Sequence, residues 1–390
     1  MHVGVDASSW DNERGFGRFT RSLVAALAAR DTGFRYTLVF DRTPERPVPE
    51  GVATTVAGAS RTMAAAASGK GARAGADMIS MSRAASRLGA DLFFFPASYA
   101  FYPMLSRVPK LVCIHDTIPE RFPDLIFPTR RNFRLWQAKT WLATRQARRI
   151  LTVSEASARD ISRILHVPRA RIDVTTEGAD ASFRPQTDPA ATAKARARHG
   201  IAPEDRVLLY IGGFNRHKNV LALIEAMPAI LAAHPAARLV IVGRVTGERF
   251  WDNVDDLKEG ASRDARASDR ITFTGEITDA EMACLLGGAE ALVFPSLWEG
   301  FGLPALEAMS CGTPVLASDR GSLPEIVGDA GLLFDPADRA ALTRTAIRLL
   351  SDPALSAELG ARALVRARSF GWDRAAELAE ASFRRTVGRA

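Results

Sequence analysis

The sequence predicts an α/β protein built from two Rossmann-like halves, each a parallel sheet covered by helices. Three observations carry this. Short apolar runs alternate with helix-like stretches throughout the chain, the pattern of parallel α/β domains. A chain of 390 residues is too long for one ordinary core, so two domains are expected. A polar, Pro-containing stretch from Gly178 to Pro203 separates two strand–helix series and reads as the linker.

In the first series, strands are predicted at His2–Asp6, Tyr36–Phe40, Leu92–Phe95, Leu111–His115 and Arg149–Val153. Each is a short apolar run, as expected of strands buried on both faces. Helices are predicted at Gly17–Ala29, Ser80–Leu88, Arg130–Arg148 and Ser157–Leu165. Residues 55–78 are rich in Ala, Gly and Ser and read as a mobile loop or weak helix. The second series runs Val207–Ile211, Val220–Ala233, Leu239–Val242, Ile271–Phe273, Asp279–Leu286, Ala291–Phe294, Pro304–Met309 and Val315–Ala317, with helices over most of Arg339 to Arg385. Two such halves would face a central cleft with their strand C-terminal ends, where ligands of these sheets bind.

Composition narrows the class. Apolar residues make up 47% and charged residues 24%, ordinary for a soluble protein. No apolar run reaches the roughly 18 residues that a spanning helix needs. Met1 to Asp6 reads as a strand, not as a signal peptide. Cys113, Cys284 and Cys311 lie apart in apolar segments, without metal-type spacing. An odd cysteine count without a signal predicts a cytoplasmic protein with buried, inert thiols. Residues 1–180 hold 26 Lys and Arg against 17 Asp and Glu; the remainder holds 25 against 27. The densest cationic segment runs from Thr129 to Ile150, with seven cations, no acid, and Trp136 and Trp141 among them. A basic helix with tryptophans suits a peripheral position on an anionic membrane. A solvated amphipathic helix is the alternative. No stacking platform or recognition motif accompanies the basic balance, so nucleic acid is not expected as a partner.

Four motifs carry chemistry. In Phe294 to Met309, Glu299 and Glu307 stand eight positions apart across a strand end, a glycine loop and a helix start. Gly300 and Gly302 free the backbone, and Pro304 suits a first helical turn. Such a helix start offers N–H groups to an anion, and two carboxylates accept paired hydroxyls. Isolated solvated acids are the plainer reading. Because carboxylates repel phosphate, cations must come from elsewhere. The loop Ile211-Gly212-Gly213-Phe-Asn-Arg216-His-Lys218-Asn219 supplies them, since Arg216 and Lys218 suit a pyrophosphate and can offset a leaving diphosphate without a metal. A solvated basic loop is the alternative. His115-Asp116 ends an apolar strand, where a histidine can bond a sugar hydroxyl or simply cap the strand. The turn at Gly15 and Gly17 precedes a helix, so its N–H groups could face a phosphate or sugar of the donor; it lacks the third glycine of a dinucleotide fingerprint, and an ordinary turn is the alternative.

Together these residues resemble the retaining glycosyltransferases of the two-Rossmann-domain (GT-B) class, glycosyltransferase family 4. The resemblance spans almost the whole chain. Its carriers are Gly15 to Arg18, His115 to Pro119, Val153 to Ser157, Gly212 to Asn219, Phe273 to Gly275, the paired glutamates Glu299 and Glu307, Pro314-Val315 and Ser322 to Glu325. It implies domains at 1–185 and 186–371, with a C-terminal helix at 372–390 crossing back onto the first. It implies no cofactor and no metal, and a nucleotide-diphospho-sugar donor held mainly by the second domain. Arg216 and Lys218 would hold the diphosphate, and Glu307 the ribose. Glu299, with Gly300, Phe301, Gly302 and Leu303, would hold the sugar and its phosphate. Gly275, Glu276 and Ile277 would border the base, and His115 would stand near the reacting carbon. One departure is present: many relatives carry an arginine where this chain has Gly213, and here the arginine follows as Arg216. That variant resembles a branch of bacterial polysaccharide transferases, several of which use GDP-mannose. The expectation is transfer of mannose from GDP-mannose to a glycan or undecaprenyl-type lipid-linked acceptor in surface-glycan synthesis. A UDP-sugar transferase with a small soluble acceptor and a non-catalytic nucleotide-sugar-binding subunit are the alternatives.

Overall fold

The computed structural model describes residues 1–12, 15–58, 75–244 and 253–388. The strands are β1 (His2–Asp6), β2 (Arg35–Phe40), β3 (Ala53–Val56), β4 (Leu92–Phe95), β5 (Lys110–Cys113), β6 (Arg149–Thr152), β7 (Ile172–Val174), β8 (Arg206–Ile211), β9 (Ala237–Val242), β10 (Ile271–Gly275), β11 (Ala291–Phe294), β12 (Val315–Ser318) and β13 (Gly331–Phe334). The longer helices are α1 (Gly15–Ala28), α2 (Gly75–Arg87), α3 (Arg130–Gln146), α4 (Glu155–Ile164), α5 (Pro189–Arg198), α6 (Val220–Ala233), α7 (Val254–Ser262), α8 (Asp279–Gly287), α9 (Leu303–Ser310), α10 (Leu323–Val327), α11 (Arg339–Ser351), α12 (Pro353–Ala367) and α13 (Trp372–Val387).

These elements form two compact units: Met1–Glu177 with Gly371–Ala390, and Gly178–Phe370. The first holds a seven-stranded sheet in the order β3-β2-β1-β4-β5-β6-β7, and the second a six-stranded sheet in the order β10-β9-β8-β11-β12-β13. Every strand pair in both is parallel. In each sheet the chain runs outward to one edge, then returns to the other side of its first strand. The order therefore reverses between β1 and β4 and again between β8 and β11. Such switch points leave a crevice at the strands' C-terminal ends.

The central strands are legible because both faces are covered. Leu92 to Phe95 are wholly buried, and Phe93 and Phe95 meet edge to face with centroids 5.0 Å apart. The edge strand β3 is mostly exposed and carries two threonines, so it lacks an apolar run and escapes the sequence reading. The strand expected at Leu111–His115 ends at Cys113, which leaves His115 in the following loop. The helix expected from Gly17 begins at Gly15. Strand β13 and helices α7 and α10 were not anticipated. Most of the Ala-, Gly- and Ser-rich stretch read at 55–78 lies outside the described residues. Cys113 and Cys311 are buried, whereas Cys284 is half-buried.

The chain leaves the first unit at Glu177, eight residues before the expected boundary at 185. The reason is local packing. Phe183 is buried, and Gln186 Oε1 accepts a 3.8 Å bond from Cys284 Sγ at the end of α8. The stretch read as a linker contains α5, whose N-terminus Asp188 caps by accepting from Ala190 N and Ala191 N. Arg196 on α5 donates to the carbonyls of Gly288, Ala202 and Asp205 at 3.1, 2.7 and 2.6 Å. These bonds build residues 186–203 into the second unit.

Helix α13 belongs to the first unit. Its Ala375, Ala376 and Ala379 are fully buried, and Phe383 packs against Phe94 and Phe34. Two buried acids fix it in place. Glu380 accepts from Arg30 Nε at 3.3 Å and Thr32 Oγ1 at 2.6 Å. Asp173 on β7 accepts from Arg149, Ser382 and Arg385. Counted over the sequence, the first unit holds 30 Lys and Arg against 19 Asp and Glu, and the second 21 against 25.

Candidate active site

In the second unit, β8 and β11 are neighbours in register at Leu208 and Ala291, so the loops leaving Ile211 and Phe294 start side by side. Gly212 turns with φ +155°, and a Cβ there would meet Tyr210 Oη at 2.8 Å. Tyr210 Oη donates to Gly213 O at 2.6 Å and fixes the start of the loop. A 3-10 turn over Arg216–Lys218 follows, ended by Asn219 in the left-handed region at φ 57°. Asparagine tolerates that conformation. Two bonds then tie this loop to the next: Leu297 N donates to His217 O at 2.8 Å, and Asn219 Nδ2 to Pro295 O at 3.2 Å.

Across this joint Lys218 Nζ donates to both Glu299 oxygens, at 2.7 and 2.8 Å. The ammonium lies 5.6 Å from the centre of the Phe294 ring. Lysine and carboxylate side chains are 20% and 8% exposed, so the pair is largely withdrawn from water. Glu299 is held through its backbone: its carbonyl accepts from Ser322 N and Ser322 Oγ, both at 3.2 Å. Gly321 makes this approach possible, because a Cβ there would lie 2.6 Å from Glu299 O and 2.8 Å from Glu299 N. Gly302, at φ +100°, caps α9. Gly300 and Phe301 are buried, and Leu303 opens the helix. Glu307, one turn on, is 2% exposed.

Arg216 is placed differently from the sequence expectation. It donates to Asp256 on α7 at 3.1 Å, with side chains 63% and 51% exposed. An ion pair that open contributes little to stability. Of the two expected phosphate cations, only Lys218 joins the acids. Between them, His217 is buried, and burial, then the Lys218 charge, pushes its pKa down to about 3. It is neutral at physiological pH. Gly275 ends β10 at φ 76°, and its carbonyl accepts from Gly243 N at 3.2 Å. Glu276 is exposed and pairs with Arg244, and Ile277 is half-buried. The loops after β9 and β10 therefore meet at the expected base-bordering residues.

In the first unit His115 is 8% exposed. Its Nε2 donates to Pro96 O, just past β4, at 2.9 Å. Phe16 and Phe19 of α1 meet its ring edge-on, at 5.0 and 4.5 Å. Its Nδ1 lies 3.6 Å from Glu177 Oε1. Burial alone would depress the imidazole pKa; the neighbouring Cys113 sulfur and Glu177 carboxylate outweigh it and hold the pKa well above the ordinary value. Gly15 and Gly17 lie in the first turn of α1, not in a loop before it. A Cβ on Gly17 would lie 2.0 Å from Asn12 O, so only glycine fits there; Gly15 has no such neighbour.

Sequence reasoning missed Glu177, Gly321 and Asp256. Gly321 adjoins the Ser322 to Glu325 segment, which was a usable signal. Glu177 and Asp256 had none, because a lone acid far along the chain does not reveal its partner. Among the described residues, no group of three or more His, Cys, Asp or Glu is arranged to hold a metal ion.

Two parallel Rossmann-like sheets, one in each unit, are the architecture of the GT-B class. Residues 14–183 match the model of Glycosyltransferase Family 4, and residues 191–366 that of Glycosyl transferases group 1. The chain belongs to this glycosyltransferase family, whose two halves those models describe. It is 35% identical to O-antigen chain mannosyltransferase B of Escherichia coli over 227 residues, 58% of each chain. It is 34% identical to D-inositol 3-phosphate glycosyltransferase of Pseudarthrobacter chlorophenolicus over 224 residues, 56% of this chain and 51% of that protein. The matches thus span less than two thirds of these relatives' own length. Sucrose-phosphate synthase from Thermosynechococcus elongatus shares the fold, with a TM-score of 0.78 over the whole of both chains at 22% identity.

Proposed function

We propose that the protein is a retaining glycosyltransferase that moves mannose from GDP-mannose to a lipid-linked or polysaccharide acceptor in bacterial surface-glycan synthesis. The observation that carries the reading is the Lys218–Glu299 pair at the β8/β11 switch point, with Glu307 buried one turn into α9. In this reading Lys218 takes the donor diphosphate and offsets the charge that develops as it leaves, so no metal or cofactor is needed. Glu299 and the backbone of Gly300 to Leu303 take the sugar, and Glu307 takes the ribose. The base lies against Gly275 to Ile277. His115, held by Pro96 and Glu177, acts at the sugar near the reacting carbon. The C1–O bond to phosphate breaks as the acceptor oxygen bonds C1 on the same face, and the acceptor proton passes to the departing phosphate. The mannose choice is supported by the 35% identity to an O-antigen mannosyltransferase. Arg216 joins Lys218 on the diphosphate in this reading, leaving its exposed pair with Asp256 to do so.

A position at the cytoplasmic membrane surface fits α3. Arg130, Arg131 and Arg134 are exposed on its first turns, with Leu135 and Trp141 62% and 59% exposed. Trp136 instead turns inward and donates to Glu120 Oε1 at 2.7 Å. Beside α3 a groove of about 300 Å³ is lined by Phe127, Phe133, Arg130 and Arg134, together with Asp124. No described helix is long and apolar enough to cross a membrane. The second reading, a transferase with a small soluble acceptor, is favoured by the 34% identity to an inositol-phosphate glycosyltransferase. Vesicle binding that is lost when Arg130, Arg131 and Arg134 are reversed to Glu supports the lipid version; vesicles left unbound by the wild type support the soluble one.

The donor is tested by a thermal-shift panel of GDP-, UDP-, dTDP- and ADP-sugars, since a ligand bound only by the folded state raises its stability. A selective shift by a UDP-sugar overturns the GDP-mannose choice. No shift, with no nucleoside diphosphate released in the presence of acceptors, overturns the functional reading.

A further inference from the structure

Lys218 and Glu299 close on each other at the switch point, and this bears on the fate of the product. The ammonium is gripped by both carboxylate oxygens, at 2.7 and 2.8 Å. Its other close neighbour, the Phe294 ring at 5.6 Å, also favours the cation where it stands. Both partners have fixed mounts. Lys218 sits on a turn closed by Asn219, and Glu299 on a loop whose carbonyl is held by Ser322 against Gly321. A diphosphate arriving alone must therefore compete with a largely buried carboxylate for the lysine. It must also approach that carboxylate, which repels it.

We infer that Glu299 is a charge clamp on Lys218, opened by the sugar of the donor and closed again when that sugar has gone. The inference rests on the assignment of the donor site to the second unit. Sugar hydroxyls are donors, and a carboxylate oxygen that accepts from them is drawn from the ammonium. An intact nucleotide sugar thus supplies the hydroxyls that occupy Glu299 and the phosphates that occupy Lys218, and both exchanges proceed together. After transfer the nucleoside diphosphate keeps the phosphates and loses the hydroxyls. Glu299 then retakes Lys218, and the product leaves. The clamp makes the site favour donor over product, although the product keeps the base, the ribose and both phosphates.

The test is titration calorimetry of the full chain with GDP, UDP and inorganic pyrophosphate, the last being blind to the base. Glu299→Gln keeps the side-chain shape and removes the competing charge. It is expected to bind the diphosphates about tenfold more tightly than wild type, equivalent to about 1.4 kcal/mol. Glu299→Asp, which shortens the reach but keeps the charge, is expected to gain less, and it serves if the glutamine variant does not fold. Lys218→Met is expected to bind diphosphates more weakly than wild type, and adding Glu299→Gln to it should gain less than the tenfold seen with Lys218 present, because only the direct repulsion is then relieved. A glutamine variant with unchanged or weaker diphosphate affinity overturns the clamp and leaves the donor assignment standing. So does a double variant that retains the full gain. Failure of the wild type and every variant to bind any of the three ligands overturns both.

Discussion

Glu177, the last residue of the first unit before the chain leaves it, places Oε1 3.6 Å from Nδ1 of His115. The histidine's other nitrogen is committed to Pro96 O, so both ring positions are occupied by acceptors. An imidazole between two acceptors is best satisfied as the cation, with both nitrogens donating.

The consequence is a stability term with a defined direction. The folded pKa of His115 is raised, so its contribution is present in full below the unfolded value, about 6.5. It is lost as pH rises through the folded value. Glu177→Gln is expected to lower the His115 pKa, read by NMR titration, and to flatten the alkaline fall in stability, read by denaturant unfolding across pH 6 to 9. The cost near pH 6 should be roughly 1–3 kcal/mol. An unchanged His115 titration would show that Glu177 does not hold the charge.

Gly321→Ala should act on the site rather than on the core. The new Cβ would stand 2.6 Å from Glu299 O, and φ of 62° disfavours any side chain there. The loop carrying Glu299 must shift, and a shift of that size costs about 1–3 kcal/mol. Donor turnover should fall further than stability does. A variant with full turnover and a wild-type melting temperature would show that the close approach is not required.

Glu307→Gln keeps packing and removes one charge from a side chain 2% exposed. If it takes the ribose hydroxyls, nucleoside diphosphate affinity should fall about tenfold while pyrophosphate affinity stays put. Equal affinity for the nucleotide in both proteins would remove the ribose role. Chelation of divalent ions should leave wild-type turnover unchanged; activity abolished by EDTA and restored by a metal would refute the assignment of charge compensation to Lys218.

Asp173 is where β6, β7 and α13 are tied. Burial alone would raise its pKa; bonds from Arg149 and Ser382 and the charge of Arg385 reverse this and hold it below the usual carboxylate range. Its contribution is present above the unfolded value, about 3.9, and is lost as pH falls through the folded one. Asp173→Asn should cost about 2–4 kcal/mol at pH 7, measured by chemical unfolding, and the difference from wild type should shrink in acid. A variant as stable as wild type at pH 7 would contradict this.

Much of this architecture is legible in the sequence because a parallel strand covered on both faces is a short unbroken apolar run. Leu92-Phe-Phe-Phe95 and Ala291-Leu-Val-Phe294 match their observed bounds for that reason. Edges are harder: β3 is mostly exposed and holds two threonines, while β13 is a short apolar Gly-Leu-Leu-Phe run that, with one exposed position, does not stand out from the loops around it. The glutamate pair and the glycine loop were readable as local motifs. Partnerships were not. Arg216 and Lys218 are two residues apart and look equivalent, yet a 3-10 turn sends one to Asp256 and the other to Glu299. A turn of that tightness is set by bonds from Leu297 and Asn219 that no local pattern announces.

The last feature is a matter of timing. Phe383 fills the core of the first unit, and its helix is made only after every element of the second. Domains generally fold as units while the chain is still being synthesised. Here the N-terminal unit emerges first yet waits, with the seat of that phenylalanine empty, until more than 190 later residues have appeared. The C-terminal unit has all its residues sooner and is expected to reach its native state ahead of the half that precedes it. The nascent first unit is therefore expected to expose the apolar seat of α13 through that interval, the kind of surface that chaperones cover during synthesis.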